Sequence, residues 1–224
     1  MVVSELKIVC VLKTGGDYDK KYVGNLYKAV SANLSYRFTF VCLTDDQIFL
    51  EYENLPYNVV PLQRNLDSLT LDEKLYKARN YWAKLEIFRF TGKVLYFDLD
   101  IVLFNSIDNL FRNLPFDSNS FMMLKAFGKR QEFNSSIMGW NGDFRFINNS
   151  FNPTQHIEEY KKWDQVYIRD GVRDKGIKIE TVQDYQPGIY SYKHNCKKEI
   201  PGDTSIVVFH GKPRPPQVGG VFWK

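Results

Sequence analysis

Apolar residues along the chain follow two rhythms, short unbroken runs and stripes recurring at three and four, and their alternation predicts an α/β protein. "LKIVCVL" (6–12) is a nearly continuous apolar run that gives way to "KTGGDYD", a buried strand ending in a glycine-bearing turn. In "YVGNLYKAVSANL" (22–34), Val23, Leu26, Tyr27, Val30 and Leu34 share one helical face. "RFTFVCLTDD" (37–46) reads as a second buried strand, so the order strand, helix, strand implies a parallel pair with a crossover helix. "YNVVPL" (57–62) is a third strand. The helix signals of 70–93 are a capping-box pattern, Thr70 with Glu73, a buried stripe of Leu75, Ala78, Trp82, Leu85 and Phe88, and Gly92 as the stop. "KVLYF" (93–97) follows as the central strand. Farther on, "SFMMLKAF" (120–127), "SSIMGWN" (135–141), "IKIETV" (177–182) and "SIVVFH" (205–210) are strand candidates, and Asn152 with Pro153 opens a helix. Pro213, Pro215, Pro216, Gly219 and Gly220 make the tail a loop.

The 224 residues suit one domain, 1–224, built on a mostly parallel central sheet flanked by helices, with a mixed-strand C-terminal half. No apolar run approaches the roughly 18 to 20 residues that cross a bilayer, so no membrane span is expected. The opening "MVVSELKIVCVLK" lacks the pattern of a secretory leader. Cys10 and Cys42 sit in apolar stretches as buried thiols, while Cys196 lies in a polar stretch and is expected at the surface. Three cysteines without framework spacing suit a reducing compartment and a cytoplasmic location. A net charge of +4 is too small to mark a nucleic-acid binder, yet it favours an anionic small ligand.

Chemistry concentrates at the end of the central strand, where "VLYFDLDIVLF" (94–104) sets Asp98 and Asp100 in apolar surroundings. A buried carboxylate costs several kcal/mol or more unless a cation or a set of donors compensates it, about the effect that a metal ion or incoming basic side chains supply. On an extended chain residues two apart point to one side, so both carboxylates could converge on Mg²⁺ or Mn²⁺ while Leu99 packs away. The bland alternative is a pair of loop aspartates capping the next turn. Ligands of open α/β sheets gather beyond the carboxyl ends of strands, which is where these residues stand.

The segment "YWAKLEIFRFTGKVLYFDLDIVLFNSIDNLF" (81–111) resembles the glycosyltransferases of the GT-A fold, particularly the family 8 type. Further matches follow in the same order: "EFNSSIMGWN" (132–141), "WDQ" (163–165) and "VVFHGKPRP" (207–215), so the resemblance spans residues 7–215. It implies a Rossmann-like GT-A fold, with a nucleotide-binding half (1–104) and a donor-sugar and acceptor half (105–224) that ends in a C-terminal loop. It implies a metal held by Asp98, Asp100 and His210, with Asp164 and Gln165 as catalytic residues beside the anomeric carbon. Lys13, Thr14, Gly15 and Tyr18 would form the nucleoside loop, with Tyr18 stacking on the base. Lys84 and Asp98 would contact the donor, Asn134 and Ser135 its sugar hydroxyls, and Gly211 and Lys212 its phosphates. Two departures are visible. His210, Gly211 and Lys212 are adjacent where the family separates them by two residues each, and Ser136 stands where glycine is usual.

The resulting expectation is a metal-dependent glycosyltransferase that moves a sugar from a nucleotide diphosphate donor, a UDP-sugar, to an acceptor hydroxyl with retention, using Mn²⁺ or Mg²⁺. Two other readings compete. An apolar strand followed by Asp-x-Asp also opens haloacid-dehalogenase-type phosphatases, with Asp98 as nucleophile and Asp100 as acid/base. A protein that binds nucleotide sugars without turning them over is the other. For the acceptor, "DYQPGIYSYKHNCKKEIPGD" (184–203), with Tyr185, Tyr190 and Tyr192, could line a groove for a glycan, a protein or modified nucleic acid. His156 and His194 read as surface or structural residues.

Overall fold

The computed structural model describes residues 5–114 and 120–223, apart from the side chains of Glu73, Lys74, Tyr76 and Lys77. The chain runs β1 (Leu6–Leu12), α1 (Lys20–Asn33), β2 (Phe38–Thr44), α2 (Gln47–Leu50), β3 (Asn58–Pro61), α3 (Glu73–Trp82), β4 (Gly92–Phe97), β5 (Ile101–Leu103) and α4 (Asp108–Arg112). It continues through β6 (Ser120–Lys125), β7 (Phe133–Gly142), α5 (Arg145–Asn149), α6 (Pro153–Tyr160), α7 (Asp164–Asp174), β8 (Lys178–Thr181), α8 (Val182–Tyr185), β9 (Ile189–Ser191), β10 (Ile206–Val208) and α9 (Pro215–Val218).

The larger sheet has the order β3-β2-β1-β4-β7-β6-β8. Strands β1 to β4 are mutually parallel, β7 runs antiparallel to both β4 and β6, and β8 returns parallel to β6. Alternation along β1 explains its unbroken apolar run: Leu6, Ile8, Cys10 and Leu12 enter one core while Val9 enters the other. Leu95 and Phe97 of β4 likewise face the first core, and Val94 and Tyr96 the second. A sheet covered on both faces needs apolar residues at every position.

A smaller sheet, β5-β10-β9, carries β5 antiparallel to β10 and β9 parallel to it. The sequence pattern predicts neither β5 nor β9. At three residues each they are too short for periodicity to register, and pairing to β10 alone makes them strands. Three local expectations also change. Helix α3 is capped by Asp72, whose side chain accepts from the Leu75 amide at 2.8 Å. The Glu73 side chain of the expected box lies outside the described residues, as do residues 1–4 of the chain's start. Past Trp82 the helix tightens into a 3₁₀ segment, Ala83–Arg89, and Gly92, at φ 82°, begins β4. The tail is not wholly loop: α9 and a 3₁₀ turn at Gly220–Phe222 fold it back on the body.

Cys10 and Cys42 are buried as expected. Cys196 is buried too, packed with Val207 and Phe209, because its polar neighbours in sequence turn outward while it faces the small sheet. No helix among the described residues is long and apolar enough to cross a membrane.

The parallel strands end together, so Lys13, Asp45 and Asp98 all follow strand ends on one edge of the sheet, and the antiparallel β7 starts there with Asn134 and Ser135. Gly139 of β7 lies opposite Leu95 of β4, and a Cβ there would stand 2.8 Å from Leu114 and 2.9 Å from Leu95, so only glycine lets the strand pack this tightly.

Gly188, just before β9, has φ +72°, and a Cβ would collide with the carbonyl oxygen of Asp203. Gly188→Ala therefore combines left-handed strain with a backbone clash and is expected to lower unfolding free energy by at least about 1–3 kcal/mol. A urea titration reading a lower midpoint at unchanged slope checks this.

Candidate active site

Asp98 and Asp100 do not lie on an extended strand. They occupy a turn between β4 and β5, closed by the Ile101 amide donating to the Asp98 carbonyl at 3.2 Å, while the Asp98 amide donates to Ser136 at 2.8 Å. Leu99 packs into the core as expected. Asp100 is only 2% exposed, and its Oδ2 accepts from the Tyr18 hydroxyl at 2.7 Å and from Arg214 Nη1 at 2.5 Å. Burial and the neighbouring Asp98 carboxylate push the Asp100 carboxyl up to about 7, against the opposing pull of Arg214 and Tyr18. Burial, and after it the same carboxylates, raise the pKa of the Tyr18 hydroxyl.

Behind the turn sits a buried ammonium. Lys84, on the 3₁₀ segment, donates to Ser135 Oγ at 2.8 Å and pairs with Asp98 at 3.0 Å and with Asp164 at 3.3 Å. Ser135 in turn donates to Asp164 Oδ2 at 2.6 Å, and the Tyr96 hydroxyl donates to Asp98 at 2.5 Å. Burial alone would lower the lysine's pKa, but Asp164 and Asp98 together raise it, so it stays charged. Lys84 thereby joins the end of β4, the start of β7 and the start of α7. A lysine on an amphipathic helix usually faces solvent; the tightened helix turns this one inward.

In the predicted nucleoside loop, Lys13 forms ion pairs with Asp45 and, at 2.7 Å, with Asp67. Asp45 also accepts from the Thr14 amide at 2.7 Å and from its hydroxyl at 2.8 Å. Gly15 takes φ +77°, which glycine permits, with an Arg79 nitrogen 3.7 Å from where its Cβ would lie. The Tyr18 ring is covered by the Arg214 guanidinium, 4.7 Å from its centroid. Sequence reading missed Asp45, Asp67, Arg79 and Arg214. Asp45, at the end of an apolar strand, mirrors Asp98 and carried a usable signal; Arg214 lay within the matched "VVFHGKPRP" segment without a role assigned, and Asp67 and Arg79 carried none.

His210 lies two residues past β10. Its Nε2 is 2.6 Å from Ser191 Oγ, and its ring stacks with those of Phe127 and His194, centroids 5.8 and 5.7 Å away. Burial, then the neighbouring Lys193 and His194, hold its pKa below the usual imidazole range. With Asn134, Trp163 and Gln165 these rings line a cavity of about 190 Å³. Asp164 is buried behind that cavity and tied to Lys84 and Ser135, so Gln165, not Asp164, faces it. Asn134 Oδ1 accepts from the Ser136 amide at 2.8 Å. Gly211 has φ +78°, with Lys193 Nζ 3.1 Å from its would-be Cβ, and Lys212 is exposed.

Among the described residues no group of three or more His, Cys, Asp or Glu side chains is arranged to hold a metal ion. The expected set of Asp98, Asp100 and His210 is not drawn together as a group of three here, and His210 Nε2 contacts Ser191 Oγ. Asp98 and Asp100 supply two carboxylates of the hard-oxygen kind that Mg²⁺ and Mn²⁺ take, and they are the residues that would hold such an ion. The tyrosines of the expected acceptor stretch have partners within the chain, Tyr190 on Asp203, Tyr185 on Glu180 and Tyr192 stacked on Phe209 at 4.5 Å. His156 is structural, its Nδ1 accepting from the Asn152 amide at 3.0 Å.

The galactosyltransferase LgtC, solved with donor and acceptor sugar analogs, superposes with a TM-score of 0.60 at 16% identity, over 93% of this chain and 88% of LgtC. The chain has the GT-A glycosyltransferase fold. The glycosyltransferase GlyE of Streptococcus pneumoniae TIGR4 matches with a TM-score of 0.58 at 15% identity over 94% of this chain, which spans 56% of the GlyE chain. An active-site glutamine-to-glutamate variant of LgtC matches with a TM-score of 0.58 at 14% identity, over 93% of this chain and 89% of that one. No family model and no curated protein matches the sequence. Within this GT-A fold the buried lysine cluster and the aspartate turn share the carboxyl edge of the sheet.

Lys84→Met leaves Asp164 and Asp98 without their shared cation in a buried setting, and is expected to cost about 3–5 kcal/mol of stability. Chemical denaturation of the two proteins side by side tests it. A change under about 1 kcal/mol would mean that the cluster is solvated and holds nothing together.

Proposed function

We propose that the protein transfers a sugar from a UDP-sugar to an acceptor hydroxyl, with retention at the anomeric carbon. The observation that carries this reading is the cluster in which Lys84 clamps Asp98 to Ser135 and Asp164, immediately behind a cavity faced by Gln165 and Asn134. It sits at the sheet edge where open α/β folds take ligands, on the fold of enzymes that act on sugars.

In this reading the loop of Lys13, Thr14, Gly15 and Tyr18 receives the nucleoside, Asn134 and Ser135 meet the sugar hydroxyls, and Gly211 with Lys212 approaches the diphosphate. Gln165 lies against the anomeric carbon. That an LgtC variant alters an active-site glutamine is consistent with such a role. Asp164 is a positioning residue, since its carboxylate is spent on Lys84 and Ser135. Lys84 acts likewise by holding the Asp98 carboxylate at the site. A divalent cation on Asp98 and Asp100, Mn²⁺ or Mg²⁺, would neutralise the charge that develops on the departing diphosphate. A neutral amide such as Gln165 is a weak nucleophile, which favours acceptor attack on the face that the diphosphate leaves, the acceptor's proton passing to a phosphate oxygen.

A panel of nucleotide sugars assayed for Mn²⁺-stimulated hydrolysis tests the reading without needing the acceptor. UDP-sugar turnover is expected, falling about 10²- to 10³-fold in Asp100→Asn while the protein stays folded. Hydrolysis of an aryl phosphate with UDP-sugars untouched would instead make Asp98 a phosphatase nucleophile, and calorimetric UDP binding with no turnover would make the protein a binder only.

A further inference from the structure

Arg214 belongs to the tail, yet its guanidinium touches three parts of the site at once. Nη1 donates to Asp100, Nη2 pairs with Asp17 at 3.1 Å, and the planar group lies over the Tyr18 ring. The backbone around it is fixed. The Arg214 amide donates to the Gln217 side chain at 2.7 Å, Trp223 packs on Tyr22 at 4.5 Å between ring centres, and Phe222 packs against Phe209 and Tyr192. The tail is thus a strap laid from the small sheet to α1, with Arg214 pointing inward from it.

The bonds that Asp100 accepts from the Tyr18 hydroxyl and from Arg214 both fall on Oδ2, which fills that oxygen and sets the guanidinium charge directly against the carboxylate. A divalent cation at this carboxylate meets a positive charge already in contact with it, and cations at such separation repel. A base stacking on Tyr18 meets the same group on the ring face. Resting on the donor-site reading above, we propose that Arg214 is a built-in counter-cation: it holds Asp100 and covers Tyr18 in the ligand-free protein, and a divalent ion must displace it to bind. The strap and the cation are then alternative partners of one carboxylate, and each weakens the other's hold.

The test needs no sugar. Mn²⁺ is titrated into the full chain at pH 8 and the free ion is followed by electron paramagnetic resonance. Arg214→Ala is expected to bind Mn²⁺ at least about tenfold more tightly than the unaltered protein, a difference of about 1.4 kcal/mol. Arg214→Lys, which keeps the charge but not the two-armed contact, should fall between them. Asp17→Asn loosens the guanidinium from the side away from Asp100 and should shift affinity in the same direction, which guards against a folding artefact in the alanine variant. Asp100→Asn combined with Arg214→Ala should lose the gain. Equal Mn²⁺ affinity with and without Arg214, or no Mn²⁺ bound by either protein, overturns the proposal. Absence of UDP-sugar hydrolysis alongside the expected Mn²⁺ shifts would sink the enzymatic reading and leave the competition standing.

Discussion

A charged lysine inside the protein is the constraint on which the site rests. Lys84 is 8% exposed, and an ammonium so placed is tolerable only if carboxylates surround it. Asp98 and Asp164 supply the charge and Ser135 the remaining hydrogen bond, so the end of β4, the start of β7 and the start of α7 are drawn to one point. None of these elements can shift alone without stranding a buried charge. The direction in which Asp98 points into the cleft follows from that arrangement.

The second carboxylate is managed differently. Asp100 is still more buried than the lysine, but its compensation arrives from the tail through Arg214 and from the loop after β1 through Tyr18. One aspartate of the pair is tied to the rigid body and the other to a segment laid over it. A site divided in this way has a fixed half and a half that can be exchanged for another cation. His210, in contact with Ser191 and stacked with Phe127 and His194, lines the neighbouring cavity.

Much of the framework was legible because burial on both faces of a parallel sheet leaves a local mark. The runs at 6–12, 37–46 and 93–97 became β1, β2 and β4, and the stripe from Ala78 to Phe88 became the inner face of the helix before β4. Where the signal was not local, reading failed. Strands β5 and β9 are too short to carry a period, and Cys196 is buried despite polar neighbours because only the small sheet behind it decides its side. The capping box at Thr70 gave way to Asp72 because several polar residues nearby can each serve as a cap, and the backbone path chooses among them.

The sequence by itself determined the layered α/β order, the position of two carboxylates beyond the central strand, and the glycine-bearing loop after the first strand, since each is written in neighbouring residues. Tertiary structure alone decided which charges meet. Ser135 reaches Lys84 across 51 residues and Arg214 reaches Asp100 across 114, pairings that no window of sequence contains. It also decided that His210 meets Ser191. The physical reason is that a buried charge is indifferent to where along the chain its partner lies. It requires only that folding bring some opposite charge within reach, and packing selects which one.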